Sequence, residues 1–287
     1  MTTRRDFIKK SSLFSSMLFL EPSELFKKDR LIGVQLYTVR NEIFKDPKAT
    51  LAKIASIGYK SVETFGYGNG KWYGLNAQAF GEELKKNGLV SPSGHTSPGS
   101  MFLKEGWESG WQKTVEDAKA IGQEYVVIPY LEEPHRKSLD NFRKIAQGLN
   151  KAAETAKASG LKLAYHNHDF EFDPLEGSSG FEILLTETDP KLVNFELDLY
   201  WVSKAGKKPL ELFKQHAGRF PMWHVKDMDN TEKKFFTEVG NGTINFKEIF
   251  SKARQSGMKY FFVEQDVCPG SPLDSIEKSY NYLKNNL

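Results

Sequence analysis

Four residues of this 287-residue chain have the side-chain types that bind divalent metals, and each ends a short apolar stretch. They are His166, Asp198, His224 and Glu264. Imidazole and carboxylate together suit a divalent transition metal such as Mn, Co, Fe or Zn. Ca and Mg instead prefer shells made of oxygen. The four side chains therefore predict one divalent transition metal.

Groups able to move a proton accompany these predicted ligands. Carboxylates, imidazoles and amines are the side chains that enzymes use as general acids and bases. We expect Glu264 to act both as metal ligand and as base. The candidates for the second proton-transfer group are His168, Glu63, His95 and Lys226.

Side chains that can form hydrogen bonds or stack complete the predicted site. The expected substrate contacts are Gln35, His95, Asn167, Trp201 and Asp227. An indole ring can stack on the face of a sugar, but Trp201 and Trp223 would fit core packing equally well. For the adjacent residues Lys226 and Asp227, two interpretations stay open: an ion pair, or a role in substrate binding.

These polar residues follow short runs rich in β-branched and aromatic residues. The eight predicted strands are residues 31–36, 61–65, 89–95, 125–130, 161–166, 192–198, 222–226 and 260–265. Each run is bounded by turn residues and is followed by a longer amphipathic stretch. This alternation is typical of parallel strands that are joined by helical crossovers.

The helical pattern is clearest between Ser138 and Ser159. Its apolar residues recur at steps of three and four and form one stripe, which predicts a helix with one buried face. Gly160 then offers the left-handed conformation in which helices commonly end. The stretches that end at Gly58 and Gly257 are built in the same way.

Eight such units within residues 31–287 predict a single-domain α/β fold, the (β/α)₈ TIM barrel, which typically takes ~250 residues. A doubly wound open sheet is the alternative, but the segment after Leu36 reads YTVRNEIF and lacks a glycine-rich phosphate loop. In a barrel the active site lies at the carboxyl ends of the strands. The predicted site residues fall at those ends.

The N-terminal segment has the layout of an export signal. It reads TRRDFIK near its start and continues with an uncharged run from Ser11 to Leu20, which is too short for a span of ~20 apolar residues. It resembles the twin-arginine signal, although no A-x-A cleavage site follows Leu20. We therefore expect residues 1–30 to be an export signal and leader, and the protein to be periplasmic. A plain basic N-terminus is the alternative.

Charge and cysteine content restrict the partners. The formal net charge of +3 falls entirely within residues 1–30, so residues 31–287 are neutral overall and lack the basic excess usual in nucleic-acid enzymes. The one cysteine, Cys268, cannot form an internal disulfide. We expect a small-molecule sugar or glycoside as the partner, with no nucleic acid and no stable membrane span.

Residues 31–287 resemble the xylose-isomerase-like barrel superfamily, which contains sugar phosphate isomerases and epimerases, inosose dehydratase and the endonuclease IV type of repair enzyme. The segments that carry the resemblance are GVQLYTVR, SVETFGYG, GLKLAYHNHDFEF, FELDLYWV, MWHVKDMD, VGNGTINF and FFVEQD. In that family a Glu, an Asp, a His and a Glu hold one divalent metal. The resemblance places the last three at Asp198, His224 and Glu264. The chain departs from the family at His166, which replaces the first Glu, and at Trp201, which replaces a substrate-contacting His.

A divalent metal on a sugar carbonyl stabilises an enediolate, from which isomerisation, epimerisation or β-elimination can follow. The expected function is thus a metal-dependent isomerase or epimerase for an unphosphorylated sugar or polyol, because no phosphate cradle is found. The resemblance supplies a first alternative, a 3-keto-glycoside lyase or hydratase, or an inosose dehydratase-like elimination. The others are a non-catalytic carbohydrate-binding barrel and an endonuclease IV-like phosphodiesterase, which the neutral charge disfavours.

Overall fold

Eight parallel strands close into a barrel. They are β1 Gly33–Gln35, β2 Ser61–Thr64, β3 Val90–His95, β4 Tyr125–Ile128, β5 Lys162–His166, β6 Val193–Asp198, β7 Met222–Val225 and β8 Tyr260–Val263. Each strand pairs in parallel with its neighbours in the chain, and β1 pairs with β8 to close the barrel. The predicted (β/α)₈ barrel is confirmed, and each predicted strand is present with its ends shifted by two residues or fewer.

The structure is a computed structural model that describes residues 31–287, of which Ile32–Leu287 form one compact unit. The predicted export signal in residues 1–30 lies outside the described residues. None of the helices in the described part of the chain is both long and apolar enough to cross a membrane.

Eleven α-helices of the described chain connect the strands. They are α1 Arg40–Lys45, α2 Pro47–Ile57, α3 Ala77–Lys86, α4 Trp107–Ala120, α5 Leu139–Ala158, α6 Gly180–Glu187, α7 Leu199–Lys204, α8 Pro209–Gln215, α9 Phe246–Ser251, α10 Ala253–Ser256 and α11 Pro272–Asn286. Helix α5 matches the predicted helix. The Ser138 hydroxyl accepts the Asn141 N–H at its start, and Gly160 has a φ of 82° beyond its end.

Short elements occupy the loops. The 3₁₀ helices are Leu36–Val39, Gly99–Leu103, Glu133–His135 and Phe170–Phe172. Three two-stranded antiparallel sheets pair Lys71–Trp72 with Leu75–Asn76, Pro174–Leu175 with Ser178–Ser179, and Asp227–Met228 with Phe236–Thr237.

Apolar side chains fill the barrel and the layer between its strands and helices. The interior cluster consists of Tyr125, Val127, Ala164, Met222 and Phe262. Trp223 lies in the outer layer, where its ring stacks on Phe213 with centroids 5.0 Å apart. Trp223 is fully buried, so it packs the core and does not stack on a substrate.

Candidate active site

A buried cluster of histidines and carboxylates lies at the carboxyl ends of the strands. Alternate residues of a strand face the same side, so both Glu196 and Asp198 of β6 point into the barrel. His166 ends β5, and His224 lies on β7. All four side chains are buried.

His224 lies between two carboxylates. Its Nδ1 atom is 2.7 Å from Oε2 of Glu264, and its Nε2 atom is 2.6 Å from Oε2 of Glu63. Burial opposes the charged ring, but Glu196, Glu264 and Glu63 outweigh burial and raise the pKa of His224 well above its usual value. The ring therefore donates both N–H groups here. A divalent cation bound to Nδ1 would replace the proton there and would compensate the charge of Glu264 in its place.

His166 presents its two nitrogens to different acids. Nδ1 is 3.1 Å from Oε2 of Glu196, whereas Nε2 is 3.7 Å from Oδ2 of Asp198. Burial, followed by the nearby His224, lowers the pKa of His166 well below its usual value. We assign the ring as neutral with its proton on Nδ1, which leaves the Nε2 lone pair toward Asp198 as a metal ligand requires.

Lys226 lies among three carboxylates. Its Nζ atom is 2.7 Å from Oε2 of Glu264, 2.9 Å from Oδ2 of Asp266 and 3.0 Å from Oδ2 of Asp198. Burial opposes the ammonium, but these acids raise the pKa of Lys226 well above its usual value. Within residues 31–287 the ion pair considered between Lys226 and Asp227 is not formed, so that interpretation was wrong.

Asp227 fixes a loop. Its Oδ1 atom accepts the backbone N–H groups of Met228 and Ile244 at 2.8 and 3.1 Å. Its Oδ2 atom accepts those of Gly240 and Gly242 at 2.8 and 3.1 Å. A carboxylate has about four acceptor positions, and all are used. Asp227 therefore has a structural role in place of the substrate contact expected from the sequence.

Glu63 lies beneath the cluster. Gln35 donates from Nε2 to Oε2 of Glu63 at 2.8 Å, and the Ser93 hydroxyl donates to its Oε1. Burial, reinforced by Glu196, raises the pKa of Glu63 to about 7. Neither Gln35 nor Glu63 lines the cavity, so Gln35 supports Glu63 and is not placed to touch a substrate.

Asn167 also supports the cluster from within. Its side-chain oxygen accepts the backbone N–H of Asp198 at 3.1 Å, and the residue is fully buried. Its expected substrate contact is therefore replaced by a role in placing Asp198.

A cavity of about 420 Å³ opens above these residues. It is lined by Tyr37, Phe65, Gly66, His95, Thr96, Pro129, Tyr130, His166, His168, Lys226, Glu264 and Asp266. Five of the residues chosen from the sequence thus reach one cavity: His95, His166, His168, Lys226 and Glu264. Asp266 is a further lining residue that the sequence did not single out.

The His168 ring is held by aromatic neighbours. Phe170 stacks on it with centroids 5.6 Å apart, and Trp201 lies at 5.3 Å. The backbone N–H of His168 donates to Oε2 of Glu171 at 2.8 Å. Burial, followed by the charge of Lys226, lowers the pKa of His168 well below its usual value. Trp201 therefore supports His168 and does not line the cavity.

Glu196 is the main site residue that sequence reasoning missed. Its Oε2 atom is 2.8 Å from Nε2 of His95, 3.1 Å from Nδ1 of His166 and 3.2 Å from Nε2 of His224. The segment FELD contains the available signal, since residues two apart in a strand share a face and Asp198 was already predicted to point inward.

The donor chemistry fits a divalent transition metal. Two groups have ligand atoms within 4.8 Å of one another. They are Asp198 with His224 and Glu264, and His95 with His166, Glu196 and His224. Burying several carboxylates together is costly unless cations compensate them. Burial raises the pKa of Asp198 to about 6, which reflects the cost of burying its charged form.

Comparison with known proteins agrees with this fold. Residues 51–286 match the model of a family described as xylose isomerase-like TIM barrel. The chain belongs to this family. Family membership accounts for the closed barrel and for a buried His, Asp and Glu cluster at the carboxyl ends of its strands.

Two relatives are informative. Inosose dehydratase of Mesomycoplasma hyopneumoniae (strain 7448) is 25% identical over 266 residues, which cover 82% of this chain and 86% of that protein. A crystal structure of a sugar phosphate isomerase/epimerase from Parabacteroides distasonis ATCC 8503 is 26% identical with a TM-score of 0.78, covering 89% of this chain and 98% of the other. The chain is thus similar to enzymes named for sugars and cyclic polyols, and these names do not fix one activity.

A second solved structure contains a metal. The IOLI protein with a bound zinc atom has a TM-score of 0.69 and 15% identity, and the match covers 88% of this chain and 96% of that one. At this identity the likeness shows the shared fold alone.

Proposed function

We propose that the chain is a divalent-metal-dependent enzyme that acts on an unphosphorylated sugar, or on a polyol that carries a carbonyl group. It removes a proton next to that carbonyl and thereby isomerises or epimerises the substrate. One observation carries this proposal. Glu264, Lys226 and His168 line the same cavity as His166, which belongs to the cluster of metal donors.

The metal ligands in this proposal are His166, Asp198, His224 and Glu264. When bound, the metal supplies positive charge that stabilises negative charge developing on substrate oxygens. Each histidine would bind this metal through one ring nitrogen, and a carboxylate contacts the other nitrogen. Glu196 contacts Nδ1 of His166, and Glu63 contacts Nε2 of His224. Carboxylates in such positions commonly orient metal-bound histidines and strengthen them as ligands.

Proton transfer is assigned to the cavity wall. Burial favours the neutral form of Glu264, but Lys226 and His224 outweigh it and hold the pKa of Glu264 well below its usual range. Glu264 is therefore ionised and can accept a proton. Lys226 can donate one, and His168 offers a neutral imidazole whose Nδ1 atom has no hydrogen-bond partner in the described chain.

The character of the cavity supports a sugar without phosphate. Tyr37, Phe65 and Tyr130 provide aromatic surfaces of the kind that pack on sugar faces. Among the lining residues, Lys226 is the only Lys or Arg, and three carboxylates already hold it. A phosphate group would therefore meet more negative than positive charge.

Beta-elimination is the second candidate, of the inosose dehydratase or 3-keto-glycoside lyase or hydratase type. Two-base epimerisation needs an acid and a base on opposite faces, whereas His166 replaces one of the two family carboxylates. An elimination needs one base, for which Glu264 serves, and one acid for the leaving group, for which Lys226 serves. The relative named inosose dehydratase favours the same candidate.

Solvent exchange separates these possibilities. Metal-loaded protein is incubated in D₂O with unphosphorylated ketoses, inosose and 3-keto-glucosides, and deuterium incorporation and products are followed by NMR. Exchange with a rearranged sugar supports isomerisation, and loss of water or aglycone supports elimination. Sugar binding without exchange would favour the non-catalytic carbohydrate-binding barrel and contradict the proposal, as would full turnover by metal-free protein.

Export is a separate proposal. We infer from TRRDFIK and the short apolar run behind it that residues 1–30 direct the folded protein to the periplasm. Periplasmic location also agrees with an unphosphorylated substrate, because sugar phosphates are cytoplasmic metabolites.

A further inference from the structure

The group formed by His95, His166, Glu196 and His224 lies on strands β3, β5, β6 and β7 and is called the floor group here. It differs from the ligand set of the proposed function in containing His95 and Glu196 and in excluding Asp198 and Glu264. Its four donor atoms lie within 4.8 Å of one another.

The spacing of the floor group suits a metal. Bonds of ~2.0–2.2 Å to nitrogen and oxygen place neighbouring ligand atoms roughly 2.8–3.6 Å apart in tetrahedral or octahedral shells. The separations from Oε2 of Glu196 to the three imidazole nitrogens are 2.8, 3.1 and 3.2 Å. Oε2 of Glu63 is a fifth nearby donor, 3.4 Å from Nε2 of His95.

Hydrogen bonds among the described residues do not satisfy every polar atom of the floor group. One oxygen of Glu196 faces three ring nitrogens, whereas its other oxygen, Oε1, has no hydrogen-bond partner among the described residues although the side chain is fully buried. Buried polar atoms without partners are uncommon in native proteins and call for a further ligand. A cation beside this carboxylate would supply one.

The two shared histidines have a nitrogen for each group. His224 directs Nδ1 toward Glu264 and Nε2 toward Glu196, whereas His166 directs Nε2 toward Asp198 and Nδ1 toward Glu196. Among the carboxylates of residues 31–287, His95 contacts Glu196 of the floor group and the neighbouring Glu63. Each group therefore has ligands that the other lacks, and substituting those ligands can distinguish the two groups.

We propose that the floor group is an alternative binding site for a divalent transition metal, with His95 and Glu196 as its own ligands and with the nitrogens of His166 and His224 that face Glu196. A neutral imidazole has one lone pair, so these two rings bind a metal in one group at a time. The donor set of three imidazoles and one carboxylate selects transition metals over Ca²⁺ and Mg²⁺. This inference goes beyond the proposed function, which uses only the set that contains Asp198 and Glu264.

Metal counting in variants tests the floor site. Full-chain protein is stripped, loaded with Co²⁺ or Zn²⁺, and analysed for metal per chain, and the Co²⁺ absorption spectrum is recorded. The variants are Asp198→Asn with Glu264→Gln, the same pair with His95→Gln, and His95→Gln alone. Glu124→Gln is the matched control, because Glu124 pairs with Lys259 at the amino ends of β4 and β8, whereas both groups lie toward the carboxyl ends of the strands.

We expect the Asp198→Asn, Glu264→Gln protein to keep about one metal per chain, and the added His95→Gln to weaken its binding by about tenfold or more. Loss of all metal in the first protein would overturn the inference while leaving the proposed function intact. Loss of metal from His95→Gln alone would support the inference and contradict the ligand set of the proposed function, because the parent protein would then hold its metal in the floor group. Glu196→Gln replaces His95→Gln if circular dichroism shows that the latter does not fold.

Discussion

The Nε2 atom of His224 lies 2.6 Å from the Oε2 atom of Glu63, a residue of the second strand that is 161 positions earlier in the chain. The opposite nitrogen of the same ring faces Glu264 of the last strand. One imidazole thus joins three strands of the barrel. The contact gives Glu63, which does not reach the cavity, a means of acting on the metal site through His224.

Glu63→Gln should weaken metal binding without removing a ligand. The amide cannot accept the N–H of His224 as strongly, so the ring becomes a poorer and less ordered ligand. Loss of such a supporting carboxylate commonly costs 10–100-fold in metal affinity, and we expect a loss of about that size. Competition with a fluorescent chelator measures it. An affinity equal to that of the Glu124→Gln control would contradict the role assigned to Glu63.

Glu171 should make the metal-free protein less stable as pH rises. Burial raises the pKa of Glu171 from 4.5 to about 8. The folded state therefore keeps a proton that the unfolded state releases above about pH 4.5. Its contribution to stability is full below that pH and is lost as pH rises through 8, by at most about 1.4 kcal/mol per pH unit.

Glu171→Gln removes this titration. Urea unfolding at pH 5, 6.5 and 8 should show a free energy of unfolding that falls less steeply with pH in the variant than in the parent protein. Parallel pH profiles for the two proteins would show that the Glu171 carboxyl is not held protonated by the fold.

Lys226→Met should separate proton abstraction from product formation if the reaction is an elimination. Glu264 remains as base, so deuterium exchange persists, whereas the leaving group loses its acid and turnover falls on the order of 10²–10⁴-fold. Lys278→Met is the control, since Lys278 is an exposed lysine paired with Glu238. Unchanged turnover in Lys226→Met would exclude it as the acid.

Asp227→Asn should destabilise the protein and leave its metal content unchanged. The amide can accept only part of the four backbone N–H groups, and unsatisfied buried groups cost about 1–3 kcal/mol each. Thermal melts and elemental analysis test the two halves of this expectation. An unaltered melting temperature with a raised KM would return Asp227 to the substrate contacts.

Replacing both Arg4 and Arg5 by Lys should retain the protein in the cytoplasm if residues 1–30 form a twin-arginine signal. Fractionation of cells that express the parent and the variant measures this directly. Equal amounts in the periplasm would rule out that export route.

The strands could be predicted because each combines a short apolar run with turn residues at its ends, and the ligand types at those ends indicated the site. Glu196 was missed because it lies two residues before the end of β6, where the side of the sheet that a side chain faces depends on the strand register. Lys226 and Asp227 were considered as a pair because they are adjacent, yet side chains adjacent along an extended chain point to opposite sides. The four N–H groups around Asp227 come largely from a distant loop.

Metal content tests the central claim most directly. Protein purified without chelator is analysed for transition metals beside His166→Ala and Glu264→Ala. We predict at least about one transition metal per chain, with a clear loss in His166→Ala, whose ring serves both groups of ligands, and a smaller loss in Glu264→Ala. Protein that contains no metal and takes up none when it is added would contradict the account and leave a carbohydrate-binding barrel as the better description.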